Sequence, residues 1–216
     1  MIIFTVVFSL FIRVPTEGLP YPLFSYLAPL FWRFSANSIS LGASSLVNNM
    51  NLITKIYFPR EILPLSAVIA SLVDLAVAAL VFVALFVGYR VPLQLTVLWV
   101  PALLIIQVAM TLAVTLIAAA VNVYYRDVRF IVPLALQLWM YVSPVGYPVS
   151  LVPEQYRPIY MLNPMAVLLD SYRRTVLLGQ PPDLMYLEFS AGMAIGLLAL
   201  AYLFFRRIEW QFADMI

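Results

Sequence analysis

The chain has 216 residues, of which 64% are hydrophobic and 10% charged, with a net charge of +2. Soluble domains carry about 25% charged residues, so the bilayer is the solvent here, and the long unbroken apolar runs call for helices rather than a barrel. There is no cysteine and no histidine, which excludes disulfides, Cys or His metal sites and Ser-His or Cys-His nucleophile pairs; no P-loop and no basic nucleic-acid patch are present either.

The first run, MIIFTVVFSLF, has 11 residues and as a helix reaches only about 16 Å, half a bilayer. It has no positive n-region and no small-residue cleavage site, so it does not read as a signal peptide. The expectation is the outer half of a first span, about residues 1–12, in a chain whose natural form is longer. Full spans are expected at about 22–47, 62–88, 95–123, 130–150 and 184–205. A further apolar run, 160–178, carries Asp170, Arg173 and Arg174, each costing about 2.5–3.5 kcal/mol at the hydrocarbon centre. The prolines before it break helices, so 152–178 is expected as re-entrant helices on one face of the membrane.

The expected fold is thus an all-α membrane protein. It is a single domain over 1–216 with about six transmembrane helices, the first truncated, a short helix at 51–61 and a re-entrant helical hairpin before the last span. Both termini then share one side, whose loops carry Lys55, Arg60, Arg126, Arg129, Arg206 and Arg207, against Arg13, Arg90, Arg157, Arg173 and Arg174 opposite. The richer side is placed in the cytoplasm by the positive-inside rule.

FSANSISLGASS, 34–45, is rich in small and hydroxyl residues that let helix backbones approach; Asn37 and Ser38 are also candidates to line a polar path. NLITKIYFPREILP, 51–64, holds the only lysine, Lys55. Leu52, Ile53, Ile56 and Tyr57 are spaced for one face of a short helix that Pro59 stops. Such a helix fits a partner's groove or anchors at the interface, and the residues alone do not choose. Asp74 is the carboxylate near the middle of a clean span, expected to hydrogen-bond a neighbouring serine or threonine. Arg126, Asp127 and Arg129 in NVYYRDVRF are close enough to pair locally, and the plain reading is a solvated loop with the positive charge expected on the inner side. WMYVSPVGYP, 139–148, cannot continue a helix smoothly, and its Trp139, Tyr141 and Tyr147 suit either sugar rings or the membrane interface. Asp170 stands one turn before Arg173 and Arg174, where helical pairing is expected.

Four stretches carry a resemblance: PYPLFSYLAPLFWRFSANSIS, NLITKIYFPREILPL, NVYYRDVRFIVPLALQLWMYVSPVGYPVSLVPE and LNPMAVLLDSYRR. In residues, order and spacing they resemble the permease subunit of ABC exporters of the polysaccharide, O-antigen and teichoic-acid class, a type-2 ABC exporter permease. The resemblance implies that Asn51, Leu52, Ile53, Lys55, Ile56, Tyr57, Phe58, Pro59 and Arg60 form the coupling helix that docks in a separate ATPase. It implies a substrate path near Trp139 and Tyr141, with Asn37, Ser38 and Tyr147 as further candidates. The charges Asp74, Asp170, Arg173 and Arg174 are then structural or belong to the exit region. It also implies a homodimer with two ATPase subunits in the bacterial cytoplasmic membrane, both termini cytoplasmic. A lipid-linked polysaccharide would be the cargo, no cofactor would be bound by this chain, and ATP and magnesium would sit on the partner. Members of the class begin with an amphipathic helix and a full first span, hence the expected longer chain. The alternatives are an ABC efflux permease for small hydrophobic compounds and a proton-driven secondary transporter. The latter predicts inverted repeats and buried acids, of which Asp74 alone is visible; an intramembrane enzyme on lipid-linked sugars would need paired carboxylates or a histidine.

Overall fold

The computed structural model describes residues 20–55 and 58–212. The expected half span at 1–12 lies outside the described residues, as do Ile56 and Tyr57. Every regular element among the described residues is helical: α1 Tyr21–Asn48, α2 Met50–Lys55, α3 Ile62–Gly88, α4 Val100–Tyr124, α5 Val128–Tyr141, α6 Arg157–Tyr160, α7 Pro164–Val176 and α8 Leu184–Ile208. A 3₁₀ turn at Leu95–Trp99 runs into α4, and others lie at Val149–Leu151, Glu154–Tyr156 and Glu209–Gln211. The chain is an all-α membrane protein.

Among the described residues three helical stretches are long and apolar enough to cross a membrane: Ile62–Gly88, Leu95–Tyr124 and Leu184–Ile208. α1 is equally long, 28 residues, but its serines and Asn37 lower its apolarity. They are tolerated because much of α1 is covered by protein: Leu23, Leu27, Ala28, Ser38, Ile39, Ala43 and Leu46 are all buried. α5 departs from the span expected at 130–150. It has 14 residues and reaches only about 21 Å, because the chain turns at Val142–Tyr147 where Pro144 and Gly146 deny it a helical continuation. The region expected to be re-entrant consists of short helices, and α7 starts cleanly: Asn163 caps it by accepting from the Met165 amide at 3.1 Å, with Pro164 as first residue.

Where one domain is expected, residue contacts divide the chain into two compact units. Among the described residues the first takes 20–33, Leu75–Leu104 and Met140–Ser190. Its core holds Leu23, Phe24 and Leu27 of α1, Phe82 and Phe86 of α3, and Met165, Leu168, Leu169 and Tyr172 of α7. Phe31 stacks on Tyr172 with centroids 3.5 Å apart. Thr96 donates to the Thr175 carbonyl at 2.7 Å, fixing the Leu95–Trp99 turn to α7.

Among the described residues the second unit takes Phe34–Asp74, Ile105–Trp139 and 191–212. Leu46, Ile53, Ala113, Leu116, Ala119, Ala120, Val123, Ala201, Phe205 and Phe212 form its core. Alanines along α4 let α1 come close, and several polar groups caught there bond across the two helices, as burial favours. Gln107 donates to the Ser35 hydroxyl at 3.0 Å, that hydroxyl lies 2.9 Å from Thr111, and Asn122 donates to the Ala43 carbonyl at 2.9 Å. At the closest point α1 has Gly42, where an added Cβ would overlap the Thr115 methyl. Gly42→Ala is therefore expected to lower stability by about 1–3 kcal/mol through overpacking, read as the thermal midpoint in detergent. Adding Thr115→Ser, which removes that methyl and keeps the hydroxyl bonded to the Thr111 carbonyl, should recover most of the loss.

Candidate functional site

α2 is a short helix fixed at one end and on one side. The turn before it is closed by the Asn49 amide to the Leu46 carbonyl at 3.2 Å and by the Asn49 side chain to the Ser45 carbonyl at 2.8 Å. Ile53, 6% exposed, plugs the core of the second unit, while Leu52 is 44% exposed. Leu52 and Ile53 thus do not form one apolar face: adjacent helical positions lie about 100° apart, and the core takes Ile53. Asn51, Leu52 and Lys55 face outward. Phe58 packs against the same core, and Pro59 is exposed. Arg60 donates to the Glu209 main-chain carbonyl. Glu61 joins the same knot, 3.7 Å from Arg206, which also bonds Glu209 at 2.8 Å. The free part of the stretch is narrower than the sequence suggests.

The end of α4 and the start of α5 meet the α1–α2 junction around a cavity of about 290 Å³ lined by Val47, Met50, Asn122, Arg126 and Arg129. Asn122 is 1% exposed; besides its bond to Ala43 it accepts from the Arg129 amide at 3.2 Å, which sets the first turn of α5. Local pairing of Arg126 or Arg129 with Asp127 does not occur: among the described residues neither arginine has a carboxylate partner. The Arg129 guanidinium lies 4.6 Å from the centre of the Phe130 ring.

The aromatic break belongs to the first unit. Its backbone is held by Arg173, 3% exposed, which donates to the Tyr147 carbonyl at 2.6 Å and the Val145 carbonyl at 2.8 Å. The guanidinium also lies 4.3 Å from the centre of the Phe24 ring. Asn163 adds a second tie, donating to the Ser143 hydroxyl at 2.9 Å and the Val142 carbonyl at 3.3 Å. The Tyr147 hydroxyl bonds the Tyr141 carbonyl at 3.0 Å and meets the Tyr160 hydroxyl at 3.0 Å. Burial, and then the Tyr147 hydroxyl, push the Tyr160 pKa well above its usual value, so the Tyr160 phenol stays neutral. Arg173 thus reaches carbonyls 26 and 28 residues away, beyond the reach of pairing along its own helix.

The remaining path candidates separate. Tyr141 is 64% exposed and offers a ring face. Trp139 is partly buried against Ile39, Ala43, Ala118 and Leu136, which makes it a packing residue on one side. Asn37 is exposed, whereas Ser38 is buried and its hydroxyl has no hydrogen-bond partner. Asp74 does not bond a neighbouring serine or threonine. Ser71, one turn earlier, is buried and donates to the Ala67 carbonyl of its own helix, and Asp74 is exposed in the middle of α3. Arg33, exposed in the middle of α1, is a mid-helix charge that the sequence reading passed over.

The chain matches the family described as ABC-2 type transporter over residues 1–177. It is 31% identical over 219 residues to the O-antigen export system permease protein RfbA of Myxococcus xanthus, an alignment covering 100% of this chain and 83% of that protein. Two Klebsiella pneumoniae proteins of the same name are 27% and 29% identical, each aligned over 99% of this chain and 82% of its own length.

Arg173→Met removes both clamps and leaves the buried Val145 carbonyl and the partly buried Tyr147 carbonyl without their donor, the buried one costing about 1–3 kcal/mol. The expected result is a loss of several degrees in the thermal midpoint, with faster proteolysis at Val142–Pro148. Arg173→Lys, which cannot bridge two carbonyls with the same planar fork, should recover only part of it.

Proposed function

The chain belongs to the ABC-2 type transporter family, and on that premise we propose that it is the membrane-spanning subunit of an exporter for lipid-linked O-antigen-type polysaccharide. It is a multi-pass membrane protein and a transport subunit rather than an enzyme. In the proposed assembly two copies pair in the bacterial cytoplasmic membrane with both termini in the cytoplasm. Two ATPase subunits bind and hydrolyse ATP with magnesium, and this chain holds no cofactor of its own.

The observation that carries the reading is the build of α2. A short helix with Leu52 and Lys55 outward, and Ile53 locked into the core, is a lever. A push on its outer side passes into α1, α4 and α8, which supply the core around Ile53. An interfacial anchor helix would put its apolar residues into lipid on one face; here the apolar residues are divided between protein and outside. Residues 51–60 are therefore proposed as the ATPase-coupling element, with Leu52 and Lys55 as its contact points.

Two further features support a wet path lined by protein. The mid-helix charges Asp74 and Arg33 are exposed, and charge within a span belongs against protein or water. Tyr141 exposes a ring beside a break in the backbone, and broken backbone at membrane depth belongs against protein or a water-filled cavity. Asn37, Tyr141 and Tyr147 are proposed for the path, with Asp170, Arg173 and Arg174 shaping its exit. The O-antigen export relatives do not favour the efflux and secondary-transporter alternatives.

Leu52→Cys in this cysteine-free chain tests the coupling role. In membranes containing the partner ATPase with single cysteines along its upper surface, a disulfide crosslink should form, and its yield should change at least twofold on adding ATP. A thiol at position 52 that reacts only with lipid-soluble reagents, and crosslinks to no ATPase position, would return α2 to an interfacial anchor.

A further inference from the structure

The cavity at the α1–α2 junction has no place in the coupling argument, and its chemistry is distinctive. Arg126 and Arg129 are exposed at one cavity of about 290 Å³. Four other arginines near chain turns are already engaged: Arg60 with the Glu209 carbonyl, Arg157 with Glu154 and the Val152 carbonyl, Arg173 with two carbonyls, Arg206 with Glu61 and Glu209. Arg126 and Arg129 have no such acceptor among the described residues.

The wall around them is built rather than accidental. Buried Asn122 is bonded through both ends of its amide, to the Ala43 carbonyl and from the Arg129 amide. That fixes the start of α5 against α1, and Arg129 with it. The amides of Val128, Phe130 and Ile131 already donate to the Tyr125 and Asp127 carbonyls, so the backbone at this helix start has little to offer an anion and the guanidiniums must do the binding. Asp127, exposed between the two arginines in sequence, moderates the positive field without pairing with either. Val47 and Met50 make the remaining wall apolar.

Two planar guanidiniums, an apolar wall and an open mouth describe a ligand with an oxyanion at one end and hydrocarbon at the other. Guanidinium forks match phosphate oxygens bidentately. We propose that this cavity binds a lipid phosphate, its phosphate or diphosphate oxyanion held by Arg126 and Arg129 and the first part of its chain lying against Val47 and Met50. The chemistry is shared by a phospholipid headgroup and by the diphosphate of a polyprenyl carrier. Assigning the second rests on the proposed export function; binding itself does not.

The test uses the full chain with its ATPase partner in nanodiscs of neutral phosphatidylcholine, titrated with farnesyl diphosphate and, separately, with farnesol. The expected result is saturable binding of farnesyl diphosphate that weakens as salt is raised. It should weaken at least tenfold in Arg126→Gln/Arg129→Gln, as loss of charge-assisted bonds from both forks requires. It should be largely kept in Arg126→Lys/Arg129→Lys, and farnesol binding should be the same in all three. If the double Gln variant does not give folded protein, the single variants carry the test at about threefold each. Repeating the titration in nanodiscs containing phosphatidylglycerol separates the sources. Undiminished binding assigns the site to a diphosphate carrier, and displacement assigns it to phospholipid. Affinity within twofold of the unaltered protein in the Gln variants, or farnesol binding that falls equally, overturns the proposal. The readout needs no turnover, so such a failure leaves the export reading standing. ATP-driven export absent from the unaltered complex would count against that reading alone.

Discussion

A backbone within hydrocarbon has no water to bond, so each main-chain donor and acceptor must find its partner in the protein. The long helices meet this within themselves. The chain after α5 does not, and there two side chains supply the donors. Arg173 takes the Val145 and Tyr147 carbonyls, with Asn163 holding Val142 and Ser143 beside them. A buried arginine is costly unless its donors are used; here they satisfy carbonyls that a broken helix would leave orphaned. Pro144 and Gly146 impose the break, and that exchange holds the broken segment in place.

Much of this fold was legible in the sequence. Unbroken apolar runs locate α3, the stretch through α4, and α8 to within a few residues, because lipid imposes a requirement that every residue of a span reports. The proline-glycine cluster at 144–148 announces the end of α5. What the sequence hides is which charge meets which carbonyl. Spacing along α7 says nothing of the Val145 and Tyr147 carbonyls that the Arg173 terminal nitrogens hold, 28 and 26 residues away, because main-chain oxygens are acceptors that no residue identity advertises.

The same limit applies at the candidate site. Leu52 and Ile53 are equally apolar neighbours, and only packing reveals that one is an anchor and the other free. Asp74 looks like a residue that bonds within its own span, but Ser71 already serves its own helix and leaves the carboxylate outward. Arg126 and Arg129 look like an ordinary solvated loop until Asn122 is seen to fix the helix start between them. Helical spacing says which residues share a face. It does not say whether the facing surface is core, lipid, partner or ligand.

Anchored α2 and broken α5 suit a subunit that converts a push at one end of its helices into a change of path through the membrane. The most direct test of that account is ATP-driven translocation. The chain and its ATPase would be reconstituted into liposomes with a lipid-linked polysaccharide on the ATP side, and the polymer followed by its accessibility to a glycosidase on the other. The account predicts that polymer becomes accessible only with hydrolysable ATP and only when both subunits are present. Translocation driven by a proton gradient without ATP, or by the ATPase without this chain, would contradict it.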